Sequence, residues 1–316
     1  MSNTTNATPA PRETMRLQAP GAPTLALQLQ RAAANIADVI YVHGSTFGAC
    51  LSVFFPLDGG SWADALCEAG FNVWGFDFAG YGDSDRYRQN DDAAAGGMAC
   101  AVPQLQRVVD AVRARNDGRP VLLLAHSWGG SVAAHYASAY SDIGALVLFA
   151  PIVMRENAAA ASGYVPAAAG SASHYALTLW AQYRRFIQDV PAGSAQPFDE
   201  APFQAWGEAF LSTDPDAHRR SPPAVMTPAG PQADVRALWS GQALYDAARI
   251  AVPTLLVRGE WDSACSQADA QRLLDALGSA QKSCEVIAAA THLMHLESGR
   301  GLLYNAVNAF FSRSAR

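Results

Sequence analysis

The sequence predicts an α/β fold: a mostly parallel sheet flanked by helices, with a helical segment inserted between two of its strands. Three observations carry this reading. Short, largely apolar runs recur at 39–42, 71–76, 121–124, 145–150 and 253–258, each too short for a core helix and too uniformly apolar for a half-wet strand. Patterns of helical period separate them, as in right-handed βαβ units that bind ligands at strand C-termini. Between Pro151 and about Ile250 the alternation stops, and aromatic residues at helical spacing replace it.

Taken in order, residues 1–12 are polar and Pro-rich and read as a flexible terminus. From Glu13 to about Gln30, two extended patterns flank Pro20-Gly21-Ala22-Pro23. Leu25, Leu27 and Leu29 alternate with small or polar residues, as in a hairpin with one wet face. The strand at 39–42 runs into a glycine-containing loop, His43-Gly44-Ser45-Thr46-Phe47-Gly48. Ser61 is placed to cap a helix bearing Trp62, Leu66 and Ala69 that stops at Gly70. The strand at 71–76 ends in the turn-rich Asp77-Phe78-Ala79-Gly80-Tyr81-Gly82-Asp83-Ser84. A low-complexity loop near 93–97 precedes a helix carrying Val102, Leu105, Val108, Val109 and Val112, with Pro103 in its first turn. The strand at 121–124 passes through Ala125-His126-Ser127-Trp128-Gly129-Gly130 into a small-residue helical pattern, giving strand, sharp turn, helix.

In the inserted stretch, Tyr175, Trp180, Tyr183 and Phe186, then Phe203, Trp206 and Phe210, follow helical spacing between breaks at Pro191, Pro197, Pro222-Pro223, Pro228 and Pro231. Most of these aromatics are expected in the insertion's own core and a minority at a cleft; so long a connection is usually functional. The sheet resumes at 253–258, ending in Gly259-Glu260-Trp261-Asp262-Ser263. A helix over about 267–277, a strand over 284–287, the segment Thr291-His292-Leu293-Met294-His295-Leu296-Glu297 and a closing amphipathic helix follow.

Composition narrows the function. With 316 residues, half of them apolar, the chain can bury a sizeable core. Net charge is −6 and the basic residues are scattered, so nucleic acid is not an expected partner. The five cysteines show no C-x-x-C or metal-ligand spacing, which fits reduced thiols. The first residues lack the basic and apolar regions of a secretory signal, and no apolar run approaches membrane-spanning length. A cytoplasmic protein without a membrane partner is expected.

Acyl transfer by a serine needs a base, an acid that orients the base, and donors for the developing oxyanion. The chain order Ser127, Asp262, His292 places each at a strand C-terminus. Five stretches then resemble an α/β-hydrolase with a cap domain: Val-His-Gly-Ser at 42–45, Asp-Phe-Ala-Gly-Tyr-Gly-Asp-Ser at 77–84, Ala-His-Ser-Trp-Gly-Gly at 125–130, Gly-Glu-Trp-Asp at 259–262 and Ala-Thr-His at 290–292. Ala125 replaces the usual first elbow glycine, and Ala79 stands where many relatives carry arginine.

The resemblance implies an eight-stranded sheet, a core of 13–150 and 251–316, and a helical cap over 151–250. It implies Ser127 as nucleophile, His292 as base and Asp262 as acid, with the backbone N–H groups of Trp128 and Ser45 as oxyanion hole and Thr46 next in line. Glu260 is the rival acid. His292, His295 and Glu297 spell H-x-x-H-x-E, but without H-E-x-x-H no metal is expected. His43 and His126 read as loop-packing residues, Asp77 as a backbone acceptor, and Cys265 as a packed side chain. A serine nucleophile sets aside dehalogenase and epoxide-hydrolase chemistry, which use a carboxylate there. The expected activity is hydrolysis of a small to medium, largely apolar ester through an acyl-enzyme. The alternatives are a proline-iminopeptidase-like amidase, suggested by Ser-Trp-Gly-Gly, or a C–C bond hydrolase, and behind them a cofactor-free oxygenase or a ligand receptor. No cofactor is expected; the expected partner is a small-molecule substrate, with a homodimer left open.

Overall fold

A computed structural model describes residues 11–88, 94–156 and 173–315. Most of the expected flexible terminus, the start of the loop near 93–97, and residues 157–172 of the inserted stretch lie outside the described residues. An eight-stranded sheet is built from β1 (Glu13–Ala19), β2 (Ala22–Gln30), β3 (Ala37–Val42), β4 (Phe71–Phe76), β5 (Val121–His126), β6 (Ala145–Phe149), β9 (Thr254–Gly259) and β10 (Lys282–Ile287), in the order β1-β2-β4-β3-β5-β6-β9-β10. β2 pairs antiparallel with both β1 and β4, and every other pairing is parallel. The helices of this core are α1 (Trp62–Glu68), α2 (Met98–Arg113), α3 (Ser127–Ala139), α7 (Gln267–Ala276) and α8 (Arg300–Ser314).

Local chemistry accounts for these elements. β3, β4, β5, β6 and β9 are buried at every position, because helices cover both faces, and their sequences are correspondingly apolar. In β2 the buried Leu25, Leu27 and Leu29 alternate with partly exposed neighbours, as the period of two requires. Ser61 caps α1 by accepting from Asp64 N, while the Asp64 carboxylate accepts from Ser61 N. The same reciprocal box, Ser266 with Asp269, starts α7. Pro103 lies well inside α2 and not in its first turn, since the helix starts at Met98; its ring leaves the Ala99 carbonyl without a helical donor. Leu302 on α8 is 56% exposed, whereas Leu303, Val307, Phe310 and Phe311 form the buried stripe.

The insertion differs from an all-helical segment. Between β6 and β9 lie α4 (Leu179–Ile187), α5 (Glu200–Ser212) and α6 (Gly230–Trp239), together with an antiparallel ribbon of β7 (His174–Thr178) and β8 (Ala224–Pro228). Tyr175, read above as part of a helical aromatic pattern, sits on β7 opposite Thr227. The two ribbon strands are five residues each and far apart in sequence, so neither carries a period long enough to be recognised alone. Phe186, Trp206, Phe210 and Leu211 pack with Phe47, Leu51, Leu293 and Leu296, which joins the insertion's core to loops at the C-terminal ends of the sheet strands. Trp206 Nε1 also donates to Leu51 O at 2.9 Å.

Arg155, just beyond β6, ties these layers together. Its Nη2 donates to Asp269 Oδ2 at 2.8 Å and to the carbonyls of Ser263 and Ala264, and its guanidinium lies 4.1 Å over the Trp239 ring. Both partners of the ion pair are buried, with side-chain exposures of 10% and 4%. Removing Arg155 leaves the buried Asp269 carboxylate with only the more exposed Arg272, at 3.2 Å, as a charge partner in a low dielectric. Arg155→Met is therefore expected to lower stability by about 3 kcal/mol in urea unfolding, and a further Asp269→Asn change to recover part of that loss. Equal stability of Arg155→Met and wild type would remove this pair from the account.

Candidate active site

The turn between β5 and α3 holds Ser127 at φ +56°, a left-handed conformation that costs an L-residue strain and is kept where surrounding contacts over-determine it. Those contacts are visible. A Cβ on Gly129 would fall 2.2 Å from His43 O and 2.8 Å from Val42 O, so α3 can start this close to the end of β3 only with glycine there. Ala125, two residues before the serine, is fully buried and fits the same constraint. Ile152 N donates to Ser127 O at 3.2 Å, fixing the peptide after the serine.

The structure brings the three predicted side chains together. Ser127 Oγ lies 2.8 Å from His292 Nε2, and His292 Nδ1 lies 3.1 Å from both oxygens of Asp262. This network assigns the proton of the neutral imidazole to Nδ1, which donates to the carboxylate and leaves Nε2 to accept from the hydroxyl. Ser127, Asp262 and His292 are exposed by only 2%, 2% and 1%, so the relay is shielded from bulk water. Asp262 Oδ1 also accepts from Ala264 N and Cys265 N at 2.9 and 3.0 Å, which fixes the carboxylate on its loop.

The two expected oxyanion donors flank the serine. Trp128 is the second residue of α3, so its N–H has no intrahelical acceptor. Gly44, next to Ser45, packs so closely that an added Cβ would lie 3.2 Å from Ser127 Cβ. The Tyr81 hydroxyl donates to Ser45 O at 2.7 Å and holds that loop in place. Thr46 is also buried.

The remaining candidates fall elsewhere. Glu260 is exposed and its Oε2 accepts from Ala289 N, away from His292. His43 is an internal strut: Nδ1 meets Gly44 O at 2.7 Å, and Nε2 accepts from Phe78 N at 2.9 Å. Burial holds its pKa down at about 4. Asp77 accepts from Ala49 N and Asp83 N, and burial raises it to about 6. Cys265 is fully buried, and burial pushes its thiol well above the ordinary range. All five cysteines are free.

The H-x-x-H-x-E residues separate. His292 turns to Asp262, His295 packs against Phe47, Phe149 and His126, and Glu297 accepts from Thr291 N and Thr291 Oγ1. The stretch around them forms only a short 3₁₀ turn, Met294–Leu296. Among the described residues no group of three or more His, Cys, Asp or Glu side chains is placed to hold a metal ion. No described helix is long and apolar enough to cross a membrane.

Sequence reasoning missed three supporting side chains. Asp234 on α6 accepts from Trp128 Nε1 at 2.9 Å and from Met98 N at 2.7 Å, linking the insertion to the residue after the serine. Asp189, just after α4, accepts from the hydroxyl and N–H of Ser263, the neighbour of Asp262. Tyr81 is the third. Each acts across more than 30 residues of chain; Asp189 and Asp234 belong to no local motif, and Tyr81, though inside the 77–84 stretch, carries no signal there for its bond to Ser45 O.

This fold and site define an α/β-hydrolase of the serine type. The chain belongs to the family described as serine aminopeptidase, S33, whose model matches residues 60–299. An esterase from Exiguobacterium antarcticum is similar in structure, with a TM-score of 0.63 at 19% identity over 95% of this chain and 100% of that one. A serine hydrolase from the polyaromatic-hydrocarbon-degrading bacterium Cycloclasticus zankles gives 0.64 at 16% identity, over 96% and 98%. A monoacylglycerol lipase from Paleococcus ferrophilus gives 0.57 at 18%, over 92% and 99%. No curated protein matches the sequence.

The histidines beside the relay give a pH prediction. His295 is 1% exposed, and burial, with a smaller contribution from His292, lowers its pKa to about 3. Below the unfolded value near 6.5 the unfolded chain takes up a proton that the folded chain refuses, so this stability is present above pH 6.5 and is lost as pH falls towards 3. His295→Leu should therefore lose less stability than wild type between pH 6.5 and pH 5, by about 2 kcal/mol in urea unfolding at the two pH values. Identical pH dependence in both proteins would show that His295 already protonates in the folded state.

Proposed function

We propose that the protein hydrolyses a small to medium, largely apolar ester through an acyl-enzyme on Ser127. The observation that carries this reading is the hydrogen-bonded line from Ser127 Oγ through His292 to Asp262, with the serine on a strained turn at a helix N-terminus. Ser127 Oγ attacks the ester carbonyl while His292 Nε2 takes its proton. The oxyanion forms against the N–H groups of Trp128 and Ser45, donors of the kind whose single loss costs about 100- to 1,000-fold in rate. His292 returns the proton to the leaving alkoxide, which departs as the alcohol. It then deprotonates a water that attacks the acyl carbonyl, and Ser127 regains its proton as the acid leaves. Asp262 holds the imidazole in the required tautomer and stabilises it when charged. In this reading residues 151–250 act as the cap that shapes the substrate pocket.

The esterase and lipase names among the structural neighbours support an ester. The family description supports a second reading, an aminopeptidase acting on a small amide. A fluorophosphonate probe should label wild type and not Ser127→Ala, whose turnover of 4-nitrophenyl esters should fall at least 1,000-fold. Faster cleavage of aminoacyl anilides than of those esters would favour the aminopeptidase. Full turnover by Ser127→Ala would end the serine-hydrolase mechanism.

Asp262→Asn should be far more damaging than Glu260→Gln, because only Asp262 contacts His292. By the same geometry His292→Ala should abolish activity while His295→Ala weakens it. Steady-state kcat/KM on one ester tests all four variants, and a reversal within either pair would reassign the roles.

A further inference from the structure

A cavity lies apart from the relay, between the end of the insertion, the segment just after β6, and α7. Its volume is about 320 Å³, and Val153, Met154, Leu238, Leu244, Leu273 and Ala276 give it an apolar wall. Ser127, Asp262 and His292 are not among its lining. Hollows of this size and character take small molecules, whose orientation is set by a few placed polar groups.

Two side chains supply such groups here. Tyr245 lines the cavity with its hydroxyl end buried, and burial pushes the phenol above its ordinary value. That hydroxyl makes no hydrogen bond among the described residues. A buried tyrosine hydroxyl normally has a partner, so one without it beside a cavity points to an acceptor brought by a ligand. Arg272 also lines the cavity and uses only Nη1, which donates to Met154 O at 3.3 Å and to Asp269 Oδ1 at 3.2 Å. Its Nε and Nη2 donate to no described residue.

The charges at this end favour an anion. Asp269 is one carboxylate between two guanidiniums, Arg155 and Arg272, which leaves a net positive charge. Asp246, the one carboxylate in the described lining, is exposed and accepts from Ala248 N in its own 3₁₀ turn.

We propose that this cavity is a second, non-catalytic site for an aliphatic monocarboxylate, with its chain along the apolar wall and its carboxylate on Arg272 and Tyr245. A guanidinium edge and a phenol hydroxyl give such a group charge-assisted bonds, and burial of the chain adds the apolar contribution. The site rests on the cavity and not on the esterase reading, but in that reading the acid released by deacylation is of the same class. A bonded path leads from the cavity to the relay: Arg272 shares Asp269 with Arg155, Arg155 holds the carbonyls of Ser263 and Ala264, and Ala264 N donates to Asp262 Oδ1.

The test first blocks Ser127 with an alkyl fluorophosphonate, so that acid bound at the reaction centre is not counted, and then follows radiolabelled octanoate by equilibrium dialysis. The blocked protein should bind octanoate saturably. Octanol, which keeps the chain and loses the charge, and acetate, which keeps the charge and loses the chain, should each compete about tenfold less well or worse. Arg272→Met and Tyr245→Phe should each weaken octanoate by about tenfold. Ala276→Trp, at an exposed position of the wall, should abolish binding by filling the cavity. Octanol competing as well as octanoate, no saturable binding to the blocked protein, or binding that none of the three variants weakens would overturn the proposal and leave the esterase reading intact. A Ser127 that takes no label would instead count against the esterase reading, and the same dialysis on unlabelled protein would still decide this site.

Discussion

The geometry of the site depends on one close approach of backbone to backbone. α3 starts so near the end of β3 that Gly129 leaves no room for a side chain against the carbonyls of Val42 and His43. That contact forces Ser127 into its left-handed conformation and sets Gly44 and Ser45 beside it. The strain is stored at a residue whose neighbours on three sides are the buried strands β3, β5 and β6, so relaxing it would require moving the centre of the sheet. The rest of the site is arranged around a serine that cannot move away.

Burial then sorts the histidines. His43, His126 and His295 are all buried, His126 with its ring centroid 5.2 Å from that of His292, and burial favours the neutral form of each by lowering its pKa. His292 is as buried as they are but has a hydroxyl on one nitrogen and a carboxylate on the other. The difference is the carboxylate: it can stabilise an imidazolium as it forms, which a phenyl ring or a backbone carbonyl does much less well. The neutral neighbours add no standing positive charge beside it.

Much of this was legible in the sequence because it is local. The apolar runs of β3 to β6 and β9 announce a doubly covered sheet, and Ser127, Asp262 and His292 each follow a strand end within a short recognisable stretch. What was not legible is long-range. β7 and β8 pair across some 50 residues with no hairpin turn to register them, so Tyr175 was assigned to a helix. Gln182 on α4 carries no sequence signal, since its burial without a hydrogen-bond partner appears only once the insertion is folded. Arg155, Asp189 and Asp234 look like ordinary surface charges until the insertion folds over the core. Pro103 misled in the other direction, because a proline normally marks a first turn and here α2 continues through it.

The acid loop shows why the insertion and the relay cannot vary independently. Arg155 holds the carbonyls of Ser263 and Ala264 from one side, and Asp189 holds the hydroxyl and N–H of Ser263 from the other. Between them sits Asp262, whose distance to His292 must stay within hydrogen-bond reach for the imidazole to keep its tautomer. Asp189 lies two residues beyond the C-terminal end of α4. Any shift of α4 is therefore transmitted through Asp189 to the residue beside Asp262. A change in the position of α4 thus reaches the acid of the relay through one hydrogen-bonded residue.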